Sequence, residues 1–198
     1  VRQVEKPNSC IDFGAGIGTL SETIIIKFGI SPICVEIDAE NIKYLDDRNL
    51  QNFKDIDDVK GGIDLVFSSN VLEHIKDDKM EIKTAFESLN KGGALVINVP
   101  AFQHLYSEFD KDVDHCRRYS KKTLKSLTTN IDFTSTKLIY FDSIGYILSI
   151  ASKLITKNYL NNFDKKIKIW DSLIPLSKII DLLTLNRFGK SLIMICIK

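Results

Sequence analysis

The chain has 198 residues, of which 44% are hydrophobic and 27% are charged, and its formal net charge is +1. This length and composition predict one globular domain that can bury a full core. They exclude a membrane-spanning protein, because no run approaches the roughly 18 apolar residues that a span needs. We also see no signal peptide at the start of the chain.

The charge is distributed unevenly along the chain. Residues 1–100 carry 11 Lys/Arg and 17 Asp/Glu, whereas residues 151–198 carry 9 and 3. An acidic first half and a basic, apolar end predict two roles on one chain.

The chain has four cysteines, Cys10, Cys34, Cys116 and Cys196. They form no C-x-x-C pair, and three of them lie in or beside apolar runs. This pattern predicts reduced thiols in a cytoplasmic protein, three of them buried in the core. It also predicts no metal site, because a zinc site needs clustered ligands.

Short apolar strands alternate with helices over the first 100 residues. The predicted strands are 9–13, 32–37, about 52, 61–69 and 94–100, and the predicted helices are 19–29, 39–50 and 78–93. Continuous apolar strands separated by helices predict a parallel sheet that is covered on both faces. The fold class is therefore α/β.

The alternation of strands and helices becomes irregular after Pro100. Residues 101–118 show no clear period, and the remaining predicted elements are a helix at 120–130, a strand at 135–141, helices at 143–156 and 168–185, and a strand at 190–198. Pro175 should kink or split the second of the late helices. We interpret this apolar, lysine-rich region as a helical cap over an acceptor pocket. The alternatives are a membrane-surface element or a contact with a partner or second copy.

Three glycines at alternate positions follow the first strand, in the stretch "IDFGAGIG". Gly14, Gly16 and Gly18 allow positive φ angles and the close approach of a ligand. A dinucleotide-binding G-x-G-x-x-G motif would place its third glycine at position 19, which is Thr19. A tight turn without a ligand is the alternative.

Acidic residues follow the next two strands. Glu36, at the end of "VEI", stands about 20 residues after the turn, where an acid can hydrogen-bond a ribose. Asp38 is expected to cap the following helix. In "KDIDD" (54–58), Asp55 and Asp57 are candidates to face an adenine amine, with Asp57 preferred, and a solvated acidic loop is the alternative.

Together, "IDFGAGIG", "VEID" and "NVLEHI" make the stretch Cys10–Pro100 resemble the class I S-adenosylmethionine-dependent methyltransferases. The resemblance implies a Rossmann-like, doubly wound sheet of seven strands with an antiparallel last strand beside the sixth. It implies S-adenosylmethionine as the cofactor. It also implies a helix before the first strand that helps to close the pocket, and we expect the natural chain to extend before Val1.

The resemblance also implies roles for individual residues. Asp12 would orient the methionine amine, Gly14, Gly16 and Gly18 would let the turn approach the cofactor, Glu36 would hold both ribose hydroxyls, and Ser69 and Asn70 would line the methionine end. Methyl transfer from a sulfonium requires mainly positioning, and a base only where the acceptor must lose a proton.

The segment "DKDVDHCRRY" (110–119) resembles a D-x-x-x-G-H-x-R-R-Y segment of a bacterial and archaeal subgroup, the type 11 and type 12 methyltransferases. Asp114 stands in place of the glycine, which leaves the backbone shape of the loop open. His115 is the candidate general base, because histidine titrates near neutral pH. The alternative is a structural histidine that ties the loop down.

Four further residues are candidate acceptor contacts: His104, Arg117, Arg118 and Tyr119. The arginines could bind a carboxylate or phosphate, or one of them could pair with Asp110, Asp112 or Asp114. Tyr119 could instead anchor the following helix.

The sequence thus predicts a single methyltransferase domain over residues 1–198. It divides into a cofactor-binding half (1–100), an acceptor loop and cap (101–185) and a closing strand (190–198). The predicted acceptor is a small molecule or a lipid- or glycan-linked group, and peripheral membrane contact through residues 143–183 is an alternative role for the cap. No nucleic-acid partner is expected, and the oligomeric state stays open. The alternatives are a nicotinamide-dependent oxidoreductase and a non-catalytic adenosyl-binding module.

Overall fold

Seven strands form one sheet in the computed structural model, which describes residues 7–59, 61–154 and 163–198, with side chains of the last helix from residue 173 onward. The strands are β1 (Cys10–Phe13), β2 (Ile33–Val35), β3 (Asn52–Phe53), β4 (Ile63–Ser69), β5 (Leu89–Pro100), β6 (Ser135–Phe141) and β7 (Ser191–Ile197). Their order is β3-β2-β1-β4-β5-β7-β6.

Strand direction confirms the predicted fold class. The first five strands pair in parallel, and β7 runs antiparallel to both of its neighbours, β5 and β6. The last strand is therefore inserted between β5 and β6, and the loops after β1, β2, β4, β5 and β6 share one edge of the sheet. Ligands bind at this edge in open α/β sheets.

Helices connect the strands. They are α1 (Thr19–Phe28), α2 (Ala39–Asp47), α3 (Asp78–Ser88), α4 (Glu108–Asp112), α5 (Lys121–Ser126), α6 (Ser143–Leu154) and α7 (Phe163–Leu183). The pair α6 and α7 forms the predicted insertion between β6 and β7. No helix within the described residues is long and apolar enough to cross a membrane.

The last insertion tests one prediction about its helices. We expected Pro175 to kink or split the second helix; α7 runs through Pro175 without ending there, so a split is wrong. Residues 155 and 156 of the predicted helix 143–156 lie outside the described residues.

The boundary between α3 and β5 also differs from the prediction. The helix ends at Ser88 rather than at 93, and Leu89 already pairs with Ile63 of β4. The Lys198 ammonium group donates to the carbonyl oxygens of Phe86, Glu87 and Leu89, at 2.8, 3.2 and 2.7 Å. The lysine thereby satisfies carbonyl oxygens at the end of the helix that have no partner within it.

The core lies on both faces of the sheet, between the sheet and its helices. Its fully buried members include Ile11, Val66, Leu95, Ile97, Val99, Leu192 and Met194. Three of the cysteines are buried as predicted, and Cys116 is exposed. Apolar strands that are buried on both faces explain why the sequence shows continuous runs and no alternation.

Candidate functional site

The glycine turn after β1 adopts the backbone that its sequence predicts. Gly14, Gly16 and Gly18 have φ angles of 75°, 55° and 84°. A Cβ atom at Gly14 would lie 2.2 Å from Val71 Cγ2, and one at Gly18 would lie 2.6 Å from Leu50 Cδ1. A Cβ atom at Gly16 would have no protein atom within 4 Å. Gly14 and Gly18 thus serve packing, whereas Gly16 faces the open space that a ligand would occupy.

The carboxylate of Glu36 is held against this turn. Its Oε2 atom accepts a hydrogen bond from the Gly16 N–H at 2.7 Å, and its Oε1 atom accepts from the Ile37 and Asp38 N–H groups at 2.9 Å each. A carboxylate offers about four lone-pair sites, two on each oxygen, so after these three bonds one site stays open on Oε2. Glu36 is therefore fixed beside Gly16 and can accept a further hydroxyl donor at Oε2. Asp38 caps α2, as predicted, through the Glu40 and Asn41 N–H groups.

Asp12 is buried directly before the turn. The Ser21 hydroxyl of α1 donates to its Oδ2 atom at 2.7 Å, and the Ser21 oxygen also lies 3.3 Å from Cys34 Sγ. Burial raises the pKa of Asp12 to about 6, against the opposing effect of the Ser21 hydrogen bond. The sequence analysis missed Ser21, a polar residue on the buried side of an amphipathic helix.

The loop after β4 packs on the glycine turn. Asn70 has a φ angle of 56°, and its N–H donates to the Asn98 carbonyl oxygen at 2.9 Å. The Asn98 side chain in turn donates to Ser69 Oγ at 3.0 Å. Val71 touches Gly14, so Ser69 and Asn70 lie beside the turn. Asn98, which we did not predict, was visible as a polar residue within the apolar run "ALVINVP".

One acidic residue of the loop after β3 caps a turn within the same loop. Asp55 Oδ1 accepts the Asp57 N–H at 3.0 Å and caps a short 3₁₀ turn, Ile56–Asp58. The Ile56 side chain is buried beneath it, whereas Asp55 and Asp57 are exposed. The contact between Asp57 and an adenine stays a prediction.

Asp110 is the centre of the loop between β5 and α5. Its buried carboxylate accepts from Arg118 Nε at 2.8 Å, from Arg118 Nη2 at 3.0 Å and from the Ser107 N–H and hydroxyl at 2.9 and 3.0 Å. His115 Nδ1 lies 2.9 Å from the same carboxylate. Burial alone would raise the pKa of Asp110, but the hydrogen bonds from Arg118 and His115 hold it below its ordinary value.

Arg117 and Tyr119 bind the same loop to α3. Arg117 Nη1 and the Tyr119 hydroxyl reach Asp78 Oδ2 at 2.8 and 2.7 Å. Backbone hydrogen bonds from Tyr119 to Pro100 and from Phe102 to Tyr119 close the two ends of the loop. Three residues predicted to contact the acceptor, Arg117, Arg118 and Tyr119, thus form hydrogen bonds within the protein. The alternative that we left open, an arginine paired with Asp110, is the arrangement of Arg118.

Asp114, which stands where the resembling segment has glycine, adopts a left-handed backbone conformation. Its φ angle is 59°, in the left-handed region that glycine favours. Aspartate tolerates this region better than most residues do. The loop therefore keeps a left-handed residue at the position where the resembling segment has glycine.

An aromatic cluster lies at the same edge of the sheet, after β5 and β6. The Phe102 ring stacks on Tyr140 with centroids 4.7 Å apart and lies 5.2 Å from the rings of both His104 and Tyr146. Phe188 flanks Tyr146 at 5.3 Å. The Tyr146 hydroxyl is 3.2 Å from His104 Nε2. His104 is exposed, so a polar pair stands at the border of an aromatic surface.

Lys153 of α6 fixes the turn that carries His104. Its ammonium group donates to the carbonyl oxygens of His104 and Tyr106 at 2.5 and 2.8 Å. The helical cap is therefore bonded to the loop beside the candidate site.

Glu73, His74 and His115 come together although they are distant in the sequence. Their ligand atoms lie within 4.8 Å of one another, and within the described residues this group could hold a metal ion. His115 Nε2 is 3.8 Å from Glu73 Oε1. The sequence prediction of no metal site rested on spacing alone, which does not show this cluster.

Glu73 has an unusual electrostatic environment. Both carboxylate oxygens are buried without a hydrogen-bond partner among the described residues. Burial raises the pKa of Glu73 from 4.5 to about 7. Between these pH values the folded protein binds a proton that the unfolded chain has released, so stability falls as the pH rises through this window.

We expect Glu73→Gln to remove this pH dependence. The variant should be more stable than the natural chain at about pH 8, by on the order of 2–3 kcal/mol, and equally stable at about pH 4. Urea unfolding across this range measures the free energies of unfolding. Glu87→Gln, in the exposed pair with Lys83, is the control and should leave the profile unchanged. Parallel profiles for the Glu73 variant and the natural chain would contradict the assignment.

The strand order and the site together define a class of protein. A seven-stranded sheet with an inserted antiparallel strand, a glycine turn after β1 and an acid after β2 is the class I methyltransferase fold. A family model described as a methyltransferase domain matches residues 2–138, and the chain belongs to this family. The predicted family is thereby confirmed. Membership of the subgroup with the H-x-R-R-Y segment stays a prediction.

Individual proteins and structures are also similar to this chain. The chain is 26% identical over 147 residues to YmfD of Escherichia coli, an uncharacterised protein, and the match spans 65% of this chain and 66% of that protein. A methyltransferase structure from Archaeoglobus fulgidus has a TM-score of 0.67 and 18% identity, covering 100% of this chain and 89% of its own. Phosphoethanolamine N-methyltransferase 2 of Haemonchus contortus has a TM-score of 0.64 and 15% identity, covering 98% and 49%.

Proposed function

We propose that this chain is an S-adenosylmethionine-dependent methyltransferase whose acceptor is a small molecule or a lipid- or glycan-linked group. The observation that carries the proposal is the Glu36 carboxylate, which is hydrogen-bonded to the Gly16 N–H beside open space. A fixed acid next to a glycine without side-chain neighbours fits an adenosyl ribose at the strand edge.

The residues around the turn fit the rest of this cofactor. Glu36 would accept a ribose hydroxyl, Gly16 would allow close approach, and Asp12, Ser69 and Asn70 would surround the methionine end. When bound, S-adenosylmethionine supplies a methyl group that its sulfonium already activates, so the protein contributes position and electrostatics.

The aromatic cluster supports the assignment of the acceptor side. Phe102, Tyr146 and Phe188 offer an apolar surface, and His104 stands at its border with Nε2 near the Tyr146 hydroxyl. A few polar groups at an apolar surface are typical of small-molecule sites. A structural neighbour is named a phosphoethanolamine N-methyltransferase, and this name supports a small-molecule acceptor.

We assign removal of an acceptor proton to His104 in preference to His115. His115 uses Nδ1 for Asp110 and has a largely buried ring that turns Nε2 towards Glu73. These contacts suit a histidine that positions the loop. His104 is exposed, and general bases must reach their proton at hydrogen-bond distance.

The experiment follows label from methyl-labelled S-adenosylmethionine into separated small-molecule and lipid fractions of cell extract. We expect label in one fraction, and we expect His104→Gln to reduce its rate of appearance by about 10²-fold or more with unchanged cofactor affinity. Cofactor binding without label in any fraction would favour the non-catalytic module. Binding of NADH in place of S-adenosylmethionine would favour the oxidoreductase.

A further inference from the structure

Helix α7 turns its polar side towards the protein. The buried Asp181 carboxylate accepts the N–H groups of Asp142 and Ser143 at 2.9 and 2.8 Å, and also the Ser143 hydroxyl. The buried Ser177 hydroxyl accepts the Ile144 N–H at 3.3 Å and donates to Asp142 Oδ1 at 3.2 Å. Polar contacts at the start of α6 therefore fix the position of α7.

The opposite side of this helix is apolar and exposed. The exposed fractions of Ile179, Leu182 and Leu183 are 57%, 72% and 76%, and Leu176 is exposed as well. We call these four residues the apolar face of α7; Leu185, in the turn just after the helix, is also exposed. A surface helix normally buries such a face and exposes its polar side. The arrangement in α7 is the reverse, so the apolar face is available to an external surface.

The charged residues around the apolar face of α7 indicate which kind of external surface it would contact. Residues 173–198 contain a single acid, Asp181, which points inward, whereas Lys178 and Arg187 are exposed near the apolar face. The preceding residues 151–172 add five lysines and two aspartates in the sequence, a net charge of +3. Exposed apolar side chains beside cations match the interface of an anionic bilayer, where leucines enter the acyl boundary and lysines meet head groups.

We propose that the apolar face of α7 docks on an anionic lipid surface. The helix lies in the plane of the membrane, and α6 connects it to the loop that carries His104, through Lys153 and Tyr146. Docking would therefore orient the acceptor side of the site relative to the bilayer. This surface stands on exposure and charge, independently of the cofactor.

The experiment is co-sedimentation of the whole chain with vesicles. We expect binding to vesicles of equal parts phosphatidylcholine and phosphatidylglycerol, weak binding to pure phosphatidylcholine, and a loss of binding as salt rises. The double variant Leu182→Ser and Leu183→Ser should weaken binding about tenfold or more. The matched control is Ile26→Ser with Phe28→Ser, two exposed apolar residues of α1, which should bind like the natural chain.

Three results would overturn the proposal. The first is that the natural chain does not bind anionic vesicles. The second is that the α1 control loses as much binding as the α7 variant. The third is that the natural chain forms a dimer in solution, which the Leu182 and Leu183 variant dissociates, and does not bind vesicles. Calorimetry with S-adenosylmethionine on the same variants keeps the two proposals separate. The α7 variant should bind the cofactor normally, and a failure of cofactor binding by the natural chain would count against the proposed function alone.

Discussion

Glu36→Ala should abolish measurable binding of S-adenosylmethionine in calorimetry, or weaken it by at least about 100-fold. The variant removes an acceptor for a ribose hydroxyl, and hydrogen bonds to a charged group contribute about 1.5–3 kcal/mol each. It also leaves the Gly16 N–H without the carboxylate that accepts it at 2.7 Å. The expected loss therefore combines ligand contacts and the shape of the turn.

Glu40→Ala is the matched control for this experiment. It removes the same charge at the start of α2, but its side chain is 77% exposed and pairs only with Lys43 among the described residues. We expect its affinity to equal that of the natural chain. Gly16→Val tests the turn separately, because it places a branched side chain at a φ angle of 55° in the open space. Unchanged affinity in both Glu36→Ala and Gly16→Val would refute the cofactor site.

Arg118→Met should lower the free energy of unfolding by about 3–5 kcal/mol, because it leaves a buried carboxylate without its cation. Arg118 contacts both oxygens of Asp110, and both side chains are almost entirely buried. Urea unfolding at neutral pH measures the change. As the pH falls, the natural chain should lose this stabilisation when Asp110, whose pKa lies below its ordinary value, takes up a proton.

Two further variants make the expected loss specific. Lys111→Met breaks the exposed pair with Glu108 on the same loop and should cost no more than about 1 kcal/mol. Asp110→Leu combined with Arg118→Met should cost less than the sum of the single variants, because no unpaired charge remains. Additive losses would show that Arg118 acts through its packing and not through Asp110.

The cofactor half of the fold was predictable because its signals are local. Glycines at positive φ, an acid at a strand end and an aspartate cap depend on neighbours within a few residues, and Gly16, Glu36 and Asp38 lie where the sequence placed them. The end of α3 was not predictable in this way. A glycine pair usually ends a helix, but here Gly92 and Gly93 lie within β5, whose start depends on pairing with β4.

The acceptor side was only partly predictable, for a physical reason. The sequence shows which residues of the loop can ionise, but their partners are chosen by the fold. Arg117 binds Asp78, which is 39 residues away, and His115 faces Glu73. The sequence also does not show which side of α7 faces the protein, because that depends on the bonds of Asp181 to Asp142 and Ser143, 39 and 38 residues away.

The order of the last three strands has a consequence for synthesis. Strand β7 lies between β5 and β6 but is made after both of them. Until it emerges, β6 has no neighbour in the sheet and β5 presents an apolar open edge, a template for pairing with other chains. At about 5–20 residues per second, translation from β6 to β7 takes on the order of several seconds. During that interval the nascent chain is exposed to aggregation, and the arrival of residues 191–197 ends it by pairing with β5 and β6.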